Sequence, residues 1–401
     1  MLLELCLAIL AGVLIGTLTG LAPGIHINLV AVFISSFSVF LLMQFSPLII
    51  VVFMVSIAMT HTFVDYIPGV FLGAPDEDNV LAILPGHEML NQGKGYDAVI
   101  YTLYGGLAAL GIILLFSPIF FIFLPKIYLF AERIMPFILI VASFFLIYFE
   151  KGSRIWAMII FFLSGVLGLA TFNLPIQETL LPLFTGLFGI SSLITSLNKK
   201  HRIPEQKISK LREIKLKTKS FSKAIAASIL ASPLCSFLPG MGSGQAAVIG
   251  SEVMGEMNRK EFLVLLGAIN TIVTGLSFVT LYSIGKARTG VAVAVGELIK
   301  IDLSNLITIT LAIIFSGILA FFTTIYAARI FSKIIPKINY QKLSFMIIII
   351  LVSLNLLFSG WLGLLVLIVS TFLGLLCIYT GIRRTHLLGC LIIPSIVLFI
   401  L

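Results

Sequence analysis

The chain has 401 residues, 59% of them hydrophobic and only 11% charged, with a mean hydropathy of +1.16. A soluble domain carries about 25% charged residues, so composition excludes a water-soluble globular protein. The net charge of +9 does not point to nucleic acid either, because ten basic residues gather in one stretch between Lys199 and Lys223.

Apolar runs predict helices over 2–21, 25–44, 46–72, 97–124, 135–149, 153–171 and 176–197 in the first half. The second half gives 221–237, 241–256, 261–284, 303–332, 343–358, 361–379 and 386–401. Two further stretches, 73–95 and 285–300, are helical in pattern but less cleanly apolar. At about 20 residues per crossing, the length suits about ten to twelve transmembrane helices. The expectation is an all-α polytopic protein of the cell membrane. The start, Met1-Leu2-Leu3-Glu4, lacks the positive region of a cleavable signal, so the first run reads as a retained helix. Residues 198–220 form the one long polar segment and divide the chain into units 1–197 and 221–401. Its positive charge places it in the cytoplasm and is compatible with anionic lipid. Cys6, Cys235, Cys377 and Cys390 lie singly in apolar stretches and read as small buried hydrophobes, with no metal spacing.

Leu21-Ala22-Pro23-Gly24 recurs as Phe237-Leu238-Pro239-Gly240, each inside a long apolar run. Proline removes a backbone donor and glycine loosens the chain, so each run breaks or re-enters at membrane depth. Lipid tolerates such a break only where protein or water covers it. One break per half points to a transporter with its site at a repeat interface. Further matches keep the same order: Thr62-Phe63-Val64 with Ser277-Phe278-Val279, Gly73 to Asp76 with Gly285 to Arg288, and Val80 to Gly86 with Val291 to Gly296. A short acidic N-terminus outside and a basic loop inside require an odd number of crossings between them. The two repeats are then inverted.

The segments after the breaks resemble open helix N-termini. Ile25, His26 and Asn28 follow Pro23-Gly24, and Gly242, Ser243, Gly244 and Gln245 follow Pro239-Gly240. Unpaired N–H groups and the helix dipole favour an anion there. The alternative is a kinked helix that packs closely through glycine. Asp76, Glu77 and Asp78 form the densest acidic cluster. They suit a coupling cation or proton, or equally the N-terminal cap of a short helix. Asp65, deeper in its run, is a second coupling candidate or a paired structural carboxylate. Lys286 and Arg288 stand where the first half has Ala74 and Asp76, and suit an anion or a salt bridge across the repeats. Asn270 reads as interhelical glue. The clusters Arg329/Lys333/Lys337/Lys342 and Arg383/Arg384 fit the loop side, with two crossings between them. Lys126/Arg133 and Lys151/Arg154 flank one span and conflict as inside markers. Enzyme signatures fail: His87-Glu88 lacks a second histidine at Asn91, and Met241 breaks a nucleophile elbow at Ser243. The expectation is no catalysis and no cofactor beyond Na+ or H+ as coupling ion.

The paired Pro-Gly elements, Phe237 through Gly244, and the run Gly73 to Asp78 through Pro85 to Gly95 resemble the large membrane subunit of tripartite tricarboxylate transporters, nearest its archaeal branch of multi-pass proteins. The resemblance covers nearly the whole chain. It implies a secondary permease for carboxylates such as citrate, driven by an ion gradient. It also implies a small membrane subunit and an extracytoplasmic binding protein as partners. It maps Pro23 to Asn28 and Pro239 to Gln245 to the substrate site. One departure stands out: bacterial members carry a Pro-Gly-Glu-like element where this chain has Ala74-Pro75-Asp76-Glu77-Asp78. Two other readings remain open. A polyprenyl-phosphate translocase would use the same paired breaks and basic residues, and would show a lateral opening between helices. A non-transporting assembly subunit would tolerate charge reversal at Asp76 or Arg288.

Overall fold

The structure is a computed structural model that describes residues 2–23, 27, 30, 34, 38–74, 80–148, 150, 152–176, 178–198, 203–237, 243–287, 289–338 and 340–400. Among these, every regular element is helical. Seven helices are long and apolar enough to span a membrane, and three shorter apolar helices (136–148, 180–195 and 384–400) accompany them.

The first unit is α1 (Leu2–Leu21), α2 (Ser38–Leu42), α3 (Pro47–Val64) and α4 (Tyr66–Leu72). Helices α1 and α3 run in the same direction: Gly12 lies against Ser56, Gly16 against Ile57 and Thr60, and Gly20 against Val64. Small residues at this spacing let the backbones close without a hydrophobic driving force, which lipid does not supply. Helix α4 ends in the left-handed Gly73 (φ 69°). A turn of 3₁₀ helix, Val80–Ala82, then leads into α5 (Ile83–Leu90).

Helix α6 (Gly95–Tyr148) covers the predicted runs 97–124 and 135–149 as two arms, Gly95–Lys126 and Pro136–Tyr148. It contains Pro118, Pro125 and Pro136, which bend a helix by deleting backbone bonds. Its first arm leaves the basic loop. Tyr104 donates its hydroxyl to Leu211 O at 2.9 Å, and Gly95 N donates to Gln206 Oε1 at 2.8 Å. Farther along, Phe121 meets Tyr282 edge-on at 6.1 Å, while Leu146 near the other end accepts from Arg383. Lys126 therefore belongs to the side opposite the basic loop and Arg154 to the loop side, which removes the conflict between those charge clusters. The polar stretch is docked rather than free. Lys207 N also bonds Gly93 O at 2.8 Å, and Ile203 and Ile214 are buried.

After α7 (Arg154–Phe172) come α8 (Leu180–Phe184), a π-helical turn Thr185–Ile190, and α9 (Ser191–Asn198). The second half opens with α10 (Thr218–Phe237), α11 (Ser243–Met254) and α12 (Arg259–Ile284). Helices α10 and α11 form an antiparallel hairpin: Lys223 Nζ reaches Glu256 O at 2.6 Å, and Gly250 packs on Ala227. Helix α12 runs parallel to α10, since Thr280 Oγ1 donates to Ser236 O at 3.2 Å at its far end. Asn258 and Glu261 close a capping box that fixes its start. At the crossing of α6 and α12, Gly105 faces the Val264 carbonyl and Gly267 faces the Thr102 carbonyl, with no room for a Cβ on either.

Then follow α13 (Gly290–Leu298), α14 (Leu303–Ile334), α15 (Tyr340–Thr380) and α16 (Gly389–Ile400), with a 3₁₀ turn Arg384–Leu388 before the last. Helix α15 holds two arms joined at Gly360 (φ 65°, ψ −164°), a backbone region open essentially to glycine alone. Gln341 bonds Leu197 O while Ser359 bonds Glu178 O, and Gly374 returns to the Leu187 carbonyl. The chain therefore reverses at Gly360, as the predicted boundary between 358 and 361 requires.

Candidate functional site

The helix pairs α1/α3 and α10/α12 point in opposite directions. Helices α1 and α3 run towards the basic loop, where Phe71 meets Phe331 at 6.0 Å and Arg329 Nε donates to Tyr96 OH at 3.3 Å. Helices α10 and α12 start at that loop and run away from it. They cross near mid-depth, where Gly106 abuts both Phe63 of α3 and Thr271 of α12.

The described part of the second predicted break is the start of α11. Ser243, Gly244 and Gln245 are all buried, Gln245 at 1% exposure. Ser243 Oγ lies 3.5 Å from Asn270 Oδ1, so Asn270 ties the return helix to α12 as the sequence led us to expect. Pro239, Gly240 and Gly242 fall outside the described residues, as do Gly24, Ile25, His26 and Asn28 after the first break. Pro23 is half-buried in the turn that ends α1. Asp65 lies at the junction of α3 and α4, 5% exposed, with its backbone carbonyl accepting from Gly69 N at 3.4 Å. Asp76, Glu77, Asp78 and Arg288 are outside the described residues. Lys286 is exposed, bonded through Nζ to Tyr128 OH, with the ammonium 4.4 Å from that ring's centroid. It sits about 20 Å farther along α12 than Asn270, so the described residues do not bring it to Ser243.

The structure adds a polar centre that the sequence reading treated only as loop-side positive charge. Arg384 is 8% exposed. Its Nη2 donates to Leu187 O at 2.8 Å, Phe188 O at 2.9 Å and Ser191 Oγ at 2.8 Å, and Nη1 donates to Ser192 Oγ. A π-helical turn loosens the usual backbone ladder, and here its carbonyls solvate the guanidinium, which also lies 5.3 Å from the Phe188 ring. Burial first, then the Arg384 charge, push the nearby His87 imidazole down to about 4. His87 also fills the space beside Gly73: a Cβ there would sit 2.6 Å from Nε2. Leu388, four residues past Arg384, and Leu81 flank Gly244 at the start of α11. The turn Arg384–Leu388 therefore connects the Arg384 pocket to the return helix.

On the other side of that turn lies Glu150. Its Oε2 receives His386 Nε2 at 2.7 Å and Arg383 Nε at 3.0 Å, and its Oε1 receives Gly152 N at 3.0 Å. Burial by itself would raise this carboxyl, but those three donors hold it at about 2. Arg383 Nη1 reaches Glu252 Oε1 of α11 at 3.5 Å. An ionisable residue within apolar sequence is a functional candidate by default. Glu150 between two apolar runs and His386 in the apolar tail were the signals that could have marked this network. Among the described residues, no group of three metal-ligating side chains is present.

The chain matches the tripartite tricarboxylate transporter TctA family over residues 6–389. It is 30% identical to an uncharacterized protein of Methanocaldococcus jannaschii, over 98% of each chain. No solved structure matches it. The family likeness expected from the Pro-Gly elements is confirmed, and with seven membrane-length helices it makes the chain an integral membrane protein that belongs to the TctA family of tripartite transporters.

Proposed function

We propose that this chain is the permease of an ion-driven uptake system for a small organic anion, a di- or tricarboxylate. The observation that carries the reading is the α10–α11 hairpin. Its return helix begins at buried Ser243 and Gln245, at the depth of Asn270, where the positive end of the helix dipole favours a carboxylate. The opposed directions of α1/α3 and α10/α12 support an inverted duplication that brings the two Pro-Gly breaks to one interface. In this reading Pro23 to Asn28 and Pro239 to Gln245 hold the anion. Lys286 and Arg288 attract it from the far side, and Asp65, Asp76, Glu77 and Asp78 take the coupling Na+ or H+. We place the chain in the cell membrane with loop 198–220 in the cytoplasm, working with a small membrane subunit and an extracytoplasmic binding protein.

A second reading, translocation of a polyprenyl-phosphate carrier, is favoured by one observation. An apolar groove of about 660 Å³, with Glu252 in its lining, lies between the second arm of α6 (Phe137, Val141, Phe145) and Ile249 and Val253 of α11. Uptake by proteoliposomes holding the purified chain tests both readings. Labelled citrate and smaller carboxylates are offered with imposed proton or sodium gradients, against Arg288→Ala. Gradient-driven uptake that falls at least tenfold in the variant supports the carboxylate permease. No uptake of any acid, with or without an added binding protein, overturns it and turns attention to the lipid substrate.

A further inference from the structure

The network around Glu150 joins three elements that must move relative to one another if the hairpin moves: the end of α6, the turn before α16, and the return helix α11. Glu150, held low by its donors, is a carboxylate at neutral pH and accepts hydrogen bonds only. His386 Nε2, 2.7 Å from Oε2, therefore carries the ring's one proton. That leaves Nδ1 as a bare lone pair. It has no hydrogen-bond partner, in a side chain with 0% exposure. The two donors to Oε2, His386 and Arg383, share one oxygen, and Arg383 also spans to Glu252 at 3.5 Å and to Leu146 O at 3.3 Å.

We infer that His386 Nδ1 is a proton-binding site that decides whether Arg383 is held by Glu150 at the end of α6 or by Glu252 on the return helix. The step is a simple protonation: a proton from water adds to the Nδ1 lone pair, the ring becomes imidazolium, and no covalent bond breaks. The cation then binds Glu150 as an ion pair, weakens the claim of Arg383 on Oε2, and turns the guanidinium towards Glu252. Loss of the proton reverses the preference. Among the described residues, Cys377 on α15 also faces Glu150, and on the α7 side the Ser164 hydroxyl is bonded to His386 O at 3.3 Å. Arg383 is half-exposed and gives the cluster its edge to solvent. This inference rests on the transporter reading, and it supplies a point where proton binding acts on the hairpin.

The test does not depend on substrate. Spin labels at Phe145→Cys and Val253→Cys, in a Cys6→Ser background in lipid nanodiscs, report the separation of α6 and α11 from about pH 8 down to about pH 4, since burial lowers the His386 imidazole below its ordinary range. A distance shift in the parent, lost in both His386→Gln and Glu252→Gln, is the expected result. A parent with no shift, or a shift that survives Glu252→Gln, overturns the inference. Should His386→Gln fail to fold, Glu252→Gln alone decides, because Glu252 lies at the edge of the network. Citrate uptake is measured separately on the unlabelled chain. A pH shift without uptake keeps the proton switch and removes the carboxylate reading, and uptake without a shift does the reverse.

Discussion

The parallel helix pairs α1/α3 and α10/α12 differ in what they are tied to. In both, a first helix (α1 or α10) runs parallel to a later one (α3 or α12); the left-handed Gly73 (φ 69°) ends α4, the short helix after α3, and the left-handed Gly285 (φ 66°) ends α12 itself. Around Gly73 the space is filled by His87, whereas a Cβ at Gly285 would meet nothing within 4 Å. The first unit packs through small residues, with His61 Nδ1 and Thr19 Oγ1 3.2 Å apart as one polar contact among the described residues. The second carries Glu252 on its return helix and joins a buried charged network. The first pair is thus close-packed, while the second belongs to a unit whose position answers to charge. Packing in lipid needs only small residues and satisfied backbone, whereas a buried charge must have a partner, and a partner can be exchanged.

The comparison breaks most severely where both units depend on the α6–α12 crossing. Gly105→Leu and Gly267→Val are expected to destabilise by about 3 kcal/mol or more, because each pushes a side chain into a carbonyl. Thermal unfolding of the detergent-solubilised protein by intrinsic fluorescence measures this, and an unchanged midpoint would refute the close approach. Gly360→Ala comes next, at about 1–3 kcal/mol, since alanine avoids the backbone region that reverses α15. A Gly360→Ala chain with native stability would mean the reversal lies elsewhere.

Acid sharpens the contrast between packing and charge. The Glu150 pKa falls from an ordinary 4.5 to about 2, so its contribution is complete above pH 4.5 and is lost as pH drops towards 2. His87 falls from 6.5 to about 4, so the unfolded chain binds its proton first and stability declines as pH falls from 6.5 to 4. Unfolding midpoints across this range should flatten above pH 4.5 in His87→Gln and below it in Glu150→Gln. Equal slopes in parent and variants would rule out both groups. The smallest effect belongs to Ser243→Ala. Its long contact with Asn270 is worth about 0.6 kcal/mol, typical of interhelical bonds in membranes, and a loss above about 2 kcal/mol would show a larger structural role for that serine.

Much of the architecture was legible along the chain. The expected run 2–21 is α1 residue for residue, 261–284 lies within α12, and the expected boundary between 358 and 361 is the Gly360 reversal. Apolar length and glycine placement carry that information, because lipid demands that each span satisfy its own backbone. Of the candidate site, the sequence marked the start of α11 and the Asn270 tie. Composition could not show that Arg384 leaves the loop to lie on the π-helical carbonyls of Leu187 and Phe188. Nor could it show that Glu150 and His386, 236 positions apart, share a hydrogen bond. Local sequence determined which segments enter the membrane and where they break, since hydropathy and backbone freedom are properties of neighbours in the chain. Only the tertiary structure decided which charges stay buried, since a charge survives in a low-dielectric interior through partners that folding alone brings within reach.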